Sequence, residues 1–142
     1  MKLSSLFVPA VVAAIAAAEN ATLQYDTIYD LESESFNGLA CSNGLNNGGC
    51  TTFGSLPSYP YIGAFDAIAS FNAPECGTCW NIAYTNDAGE ATTLNVLAID
   101  HAEPGLIIVS EEAMDELTDG NAVFLVSVPV TAVQVDKSLC GL

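Results

Sequence analysis

The chain has almost no positive charge. It contains no arginine and two lysines, Lys2 and Lys137, against 17 acidic residues, for a formal net charge of −15. Nucleic-acid binding rests on Lys and Arg neutralising phosphates, so that class is excluded. Anionic membranes and polyuronides are repelled on average, which leaves neutral partners as the better fit. Histidine is nearly absent too. His101 stands alone, too few for a zinc site of about four ligands when the cysteines show no second paired spacing. It also follows Asp100 directly, and strand alternation turns neighbours to opposite faces, which argues against a His-based triad. No metal or cofactor is expected. Internal repeats, low-complexity tracts and linkers are missing as well.

What is present begins with Met1-Lys2, an uncharged apolar run from Leu6 to Ala18, and the small residues Ala16-Ala17-Ala18. This is the layout of a cleavable secretion signal, and the run is too short to span a bilayer. Residues 1–18 are read as the signal and 19–142 as one domain, with a single core. Extracellular location follows, possessing only Lys137 as a cation. Self-repulsion fades towards the sequence pI of about 4.1, so a monomer or weak self-association is expected. Asn20-Ala21-Thr22 is an N-glycosylation sequon close to the mature end.

Five cysteines, Cys41, Cys50, Cys76, Cys79 and Cys140, imply two disulfides and one thiol left over. Cys76-Gly77-Thr78-Cys79 alone would read as a redox pair, but the helix-opening βαβ setting of such pairs is missing. A secreted chain favours structural bridges. Many pairings are open. Joining Cys41 to Cys76 and Cys79 to Cys140 would tie both ends to the centre, each bridge contributing roughly 4 kcal/mol in the loop-entropy model.

Short apolar runs between Gly, Asn and Pro clusters suggest a mainly β domain. Thr22 to Tyr29 alternates as a strand, with Tyr25, Thr27 and Tyr29 on one face. Asn43 to Gly49 reads as a loop, and Phe65 to Phe71 as one or two helical turns stopped by Asn72-Ala73-Pro74. Trp80–Tyr84 and Leu94–Asp100 read as a hairpin joined through Asn86–Gly89. Ser110 to Thr118 is the best helix, capped by Ser110, with Glu111 and Glu112 at its positive end and Gly120 ending it. Ala122–Val128 and Thr131–Val135 read as closing strands. Many short strands with few helices indicate a small barrel.

Asp100 ends Leu94–Ile99, a strand apolar on both faces. A carboxylate there either ties down a neighbouring loop through backbone N–H groups or lies at the mouth of a groove. Hydrolysis of a glycosidic bond requires a second carboxylate about 5–10 Å away, and Asp26, Asp30, Asp66 and Glu75 are candidates. Tyr25, Tyr29, Tyr59, Tyr61 and Trp80 are aromatic surfaces on which sugar rings stack, or else packing residues.

Together these pieces form a pattern. Tyr25-Asp26 with Tyr29, Ala40-Cys41-Ser42-Asn43-Gly44, Pro60-Tyr61-Ile62-Gly63, Asn72-Ala73-Pro74-Glu75-Cys76-Gly77-Thr78-Cys79-Trp80, Ile99-Asp100-His101 and Gln134-Val135-Asp136 ahead of Cys140 occur in this order. Along nearly all of its mature length the chain resembles the cerato-platanin family of small secreted fungal proteins.

The resemblance implies a six-stranded double-psi β-barrel of the expansin type, mainly β with short helices, stapled by Cys41–Cys76 and Cys79–Cys140. It implies a non-catalytic protein of fungal walls and culture fluid that binds chitin or N-acetylglucosamine oligomers, can loosen cellulose without evident hydrolysis, and acts as an elicitor of plant defence. A secreted signal perceived by a host receptor is a further reading compatible with it. Asp100 falls on the aspartate of the family's shallow groove. Tyr25, Asp26, Ser42 and Asn43 match family motifs and are assigned to sugar contact with it. Weak glycoside hydrolysis and a surface-active coat are the rival functions. Departures from the pattern are the extra Cys50, Phe71 where the family usually has Trp, and a longer hairpin around Asp87.

Overall fold

The computed structural model describes residues 16–142; most of the expected signal peptide, residues 1–15, lies outside the described residues. Six strands make the wall: β1 (Glu19–Tyr25), β2 (Ile62–Phe65), β3 (Cys79–Thr85), β4 (Ala91–His101), β5 (Leu106–Val109) and β6 (Ser127–Val135). They close into a barrel in the order β1-β5-β2-β4-β3-β6. The β1/β5 and β2/β4 pairs are parallel and the other four antiparallel. The six-stranded, disulfide-stapled barrel anticipated from the sequence is thus present.

Barrel closure gives each strand an inner face. Leu23, Ile62, Phe65, Ile82, Leu97, Ile99, Ile107 and Val109 are buried, each such side chain contributing about 1.5–3 kcal/mol. A second aromatic cluster holds the long β1–β2 excursion. Tyr29 stacks on Phe53 with ring centroids 5.9 Å apart, and Phe36 meets Phe53 at 5.6 Å. The β3/β4 hairpin forms as expected, with Cys79 opposite Leu97 and Thr85 opposite Ala91. Helix α2 (Glu111–Thr118) begins where Ser110 predicts. The Ser110 hydroxyl accepts the Ala113 N–H at 3.1 Å, and Met114 and Leu117 are buried.

Four local readings need correction. The first strand stops at Tyr25, because the Asp26 carboxylate accepts the Ile28 N–H at 2.9 Å and starts a 3₁₀ turn, Thr27–Asp30. That turn takes Tyr29 off the face of Tyr25 and buries it. The Asn/Gly loop after Cys41 contains a short helix, α1 (Ser42–Asn47). Phe65 to Phe71 is not helical: Phe65 ends strand β2, and turns follow. Ala122 to Val128 is not one strand. A single helical turn, α3 (Ala122–Leu125), precedes β6, and Asp115 caps its first N–H at 2.9 Å.

Two disulfides staple the barrel. Cys41–Cys76 spans 35 positions and fixes α1 to the segment entering β3; Cys79–Cys140 spans 61 and pins the C-terminal turn to β3. Cys50 is a free thiol, half-buried, and its Sγ lies 3.7 Å from the Ser55 carbonyl.

Candidate functional site around Asp100

A β-bulge aims Asp100. In the parallel β2/β4 pair, Gly63 faces Ala98 but the next residue, Ala64, faces Asp100, so Ile99 is the extra residue. Bulges re-aim side chains at the ends of sheets. Here the bulge frees a carboxylate from a strand whose preceding residues, Val96 to Ile99, are all buried. Gly63 makes the close approach of β2 to β5 feasible, since a Cβ there would sit 2.3 Å from the Ile108 carbonyl oxygen.

The half-buried Asp100 carboxylate has two unlike oxygens. Oδ1 accepts the N–H of Ala40 at 2.8 Å and that of His101 at 2.9 Å. Oδ2 takes one long contact, from the Tyr29 hydroxyl at 3.4 Å. An ionised carboxylate has about four acceptor sites, so Oδ2 keeps capacity for a further donor. The loop-tying role is therefore real, and it occupies one oxygen only.

The segment that Asp100 holds is clamped from other directions. The Ala40 carbonyl accepts the Asn72 N–H at 2.7 Å, and Cys41 is bonded to Cys76. Beyond Cys76, Gly77 N–H donates to the Ala98 carbonyl at 2.9 Å, back on β4. Ser42 and Asn43 start α1 shortly after the clamped Ala40, Ser42 buried and Asn43 exposed. Phe71, the neighbour of Asn72, is 63 % exposed. Phe71 thus presents an exposed aromatic face on the segment bonded to Ala40, a position whose departure from the family pattern was its only signal in the sequence.

Tyr29, read from the sequence as a stacking aromatic on a continued strand, instead reaches Asp100, a contact the false continuation of that strand concealed. Its hydroxyl pKa is pushed well above the usual phenol range. Burial is the largest cause, followed by the charges of Asp100 and Asp26 and the hydrogen bond to Asp100. Asp26, Tyr29 and Asp100 therefore share one electrostatic neighbourhood. Tyr25 is half-buried and lines a hollow of about 370 Å³ with Gln24, Asp26, Thr27 and Val126, which does not include Asp100.

Trp80 and Tyr59 are structural. Trp80 is buried, stacks on Phe65 at 5.8 Å and donates its indole N–H to Thr78 Oγ1 at 2.9 Å. The Tyr59 hydroxyl donates to the Asp30 carbonyl. His101 Nδ1 meets the Ile68 carbonyl. Three of the four candidate second carboxylates are committed to backbone N–H groups. Asp26 caps the 3₁₀ turn, Asp30 accepts Glu111 and Glu112 at 2.8 and 3.1 Å, and Asp66 accepts Gly105 at 2.8 Å. Cys50 lines a different hollow, about 700 Å³, alongside Leu45, Cys76, Thr78 and Lys137. Asn20 is exposed on β1 opposite Thr131.

Comparison with known proteins agrees with this architecture. The cerato-platanin family model matches residues 21–142. The chain belongs to the cerato-platanin family. Cerato-platanin 2 from M. perniciosa superimposes with a TM-score of 0.80 at 46 % identity, covering 87 % of this chain and 100 % of that one. The solution structure of the fungal elicitor cerato-platanin gives 0.67 at 30 % identity, covering 84 % and 96 %. A heat-stable 19 kDa antigen of Coccidioides posadasii is 38 % identical over 98 % of this chain and 92 % of its own. The four cysteines of the two staples are those the family pattern implied, and Cys50 stands outside it.

Proposed function

We propose that this cerato-platanin is a secreted, non-catalytic carbohydrate-binding protein that acts on cell walls and elicits plant defence. Its ligand class is chitin-type N-acetylglucosamine oligomers, with cellulose as a weaker ligand. The observation that carries the reading is the unequal Asp100 carboxylate. Oδ1 fixes the Ala40 loop, and Oδ2 keeps room for a sugar hydroxyl or acetamide N–H. Asn43, at the start of α1 shortly after Ala40, supplies an exposed amide, and Phe71, next to the Asn72 that bonds Ala40, an exposed ring face. Tyr25, Asp26 and Ser42 play lesser parts: Tyr25 and Asp26 extend the contact surface from the neighbouring hollow, and Ser42 supports the α1 start.

Competition of Asp100 for interchain hydrogen bonds loosens a polysaccharide without a covalent step. Hydrolysis requires a second carboxylate free to act as acid, base or nucleophile. Of the four candidates Asp30 alone has both oxygens taken by backbone N–H groups, so a sugar-release assay decides that rival. The elicitor part of the reading rests on the similarity to the fungal elicitor cerato-platanin.

Co-sedimentation with insoluble chitin and cellulose, with reducing-sugar assay of the supernatant, tests the reading. Binding to chitin that Asp100→Asn weakens, with no sugar released, is expected. Sugar release that the same variant abolishes would establish an enzyme instead.

A further inference from the structure

The turn between α2 and β6 exposes apolar side chains that the barrel does not need. In α3, Ala122 is buried, whereas Val123 is 63 %, Phe124 85 % and the following Val126 59 % exposed. The turn is nevertheless held rigidly. Asp115 Oδ1 accepts the Ala122 N–H at 2.9 Å, and Asn121 Nδ2 donates to the carbonyls of Thr118 and Asp119 at 2.7 and 3.1 Å. Leu125 and Val126 N–H groups donate to Asn121 and Ala122 carbonyls, both at 2.8 Å. Val126 has φ +63°, a left-handed backbone that a β-branched residue rarely adopts. A merely solvated turn would place Gly or Asn there and polar residues before it.

The turn is a ridge between two hollows. Phe124 forms part of one, about 510 Å³, together with Tyr84, Asp87, Glu90, Glu116 and Asp119. Val126 forms part of the other, with Tyr25 and Asp26. Both hollows carry carboxylates and neither carries a cation; Lys137 lines a third hollow elsewhere. Pre-organised apolar knobs inside a ring of one charge sign have the make-up of a protein-docking surface, in which aromatic anchors supply affinity and charges supply selectivity. A second copy of this chain brings the same carboxylates and a net charge of −15, and an anionic lipid surface is repelled in the same way. A neutral sugar stacks on a phenylalanine ring but leaves the surrounding carboxylate charge unpaired, whereas a basic segment pairs it.

We propose that the α3 ridge docks a basic segment of a partner protein, one that carries Lys or Arg side chains around an apolar residue. The apolar residue packs against Phe124 and Val126, and the cations meet Asp87, Glu90, Glu116 and Asp119. The ridge borders the Tyr25–Asp26 hollow but uses neither Asp100 nor Phe71. Asp100→Asn should therefore leave peptide binding in place and Phe124→Ser should leave sugar binding in place, which keeps the two readings separable.

The test is an NMR titration of the ¹⁵N-labelled, disulfide-intact chain with a synthetic peptide of alternating Lys and Leu. Peptides of alternating Lys and Ser and of alternating Glu and Leu, and neutral phosphatidylcholine vesicles, serve as comparisons. Saturable shifts at Tyr84, Glu90 and residues 123–126 are expected with the Lys–Leu peptide, and weaker ones with Lys–Ser. Phe124→Ser should keep the native spectrum and weaken Lys–Leu binding about tenfold or more. Glu103→Gln, which removes one charge on the β4–β5 turn, should change it little. Shifts spread evenly over the acidic surface and unaffected by Phe124→Ser would overturn the proposal in favour of plain net-charge attraction. Shifts at the ridge produced by the vesicles but not the peptide would overturn it in favour of lipid. Ridge shifts that follow protein concentration alone would overturn it in favour of a second copy.

Discussion

Asp100 grips the backbone of Ala40, 60 positions earlier, through a 2.8 Å hydrogen bond from the Ala40 N–H to Oδ1. The grip joins the end of a barrel strand to the residue before a disulfide cysteine. It makes one carboxylate both a brace for the loop and the proposed sugar acceptor.

Removing that carboxylate therefore has a structural cost. Asp100→Ala leaves the Ala40 and His101 N–H groups without an acceptor, which costs about 1–3 kcal/mol. Set against a total of roughly 5–15 kcal/mol, the fold survives loosened. Asp100→Asn retains a carbonyl oxygen and should lose less. Denaturant unfolding of both variants checks the order, and an alanine variant as stable as the native chain would contradict it.

Beside the bulge that aims Asp100, Gly63 lets β2 approach β5 closely. Gly63→Ala places a methyl 2.3 Å from the Ile108 oxygen and 3.0 Å from the Val109 Cα, both backbone atoms. The β2 and β5 walls must part, at a cost of about 1–3 kcal/mol or more. Gly44→Ala meets nothing within 4 Å and should be neutral or stabilising by up to about 1 kcal/mol. Equal thermal midpoints for the two variants would refute the close approach.

Tyr29 links stability to alkaline pH. Its folded-state pKa lies above the unfolded value of about 10. Below pH 10 both states hold the proton and the stabilisation is complete. As pH rises past 10 the unfolded chain loses the proton first, so stability falls towards the folded pKa. Tyr29→Phe should flatten that decline, although Tyr59 and Tyr61, also raised mainly by burial, keep part of it. Urea midpoints between pH 8 and 11 would show the difference; superimposable curves would count against it.

The cysteines should behave unequally. Cys140→Ser opens a bridge spanning 61 positions and should cost about 4 kcal/mol in the loop-entropy model. Cys50→Ser breaks no bridge and should shift the midpoint little. Thiol titration of the denatured native chain should find a single reactive group. Two more would show that one staple is missing.

The sequence made some features plain and concealed others for physical reasons. The hairpin and α2 were legible because turn residues and the Ser110 cap act within a few positions. Asp100 stood out as a charge closing a strand apolar on both faces. The end of β1 was misread because a single Asp26 hydrogen bond outweighs the alternation that runs through Tyr29. Ala122–Val128 was ambiguous, since a short apolar run suits a strand or a helical turn until Asp115 caps it. Strand β5 was not anticipated, because four apolar residues acquire strand character from β1 and β2, far away in sequence. The Ile99 bulge and the Asp100–Ala40 bond are likewise long-range, and no local spacing announces them.

The central claim is that Asp100 Oδ2 receives a sugar donor. An NMR titration with N-acetylglucosamine oligomers and with glucose oligomers of equal length tests it most directly. The account predicts saturable shifts for the acetylated series at Asp100, Ala40, Asn43 and Phe71, and their loss in Asp100→Asn while the fold is retained. Shifts that cluster elsewhere, or that persist unchanged in Asp100→Asn, would contradict it.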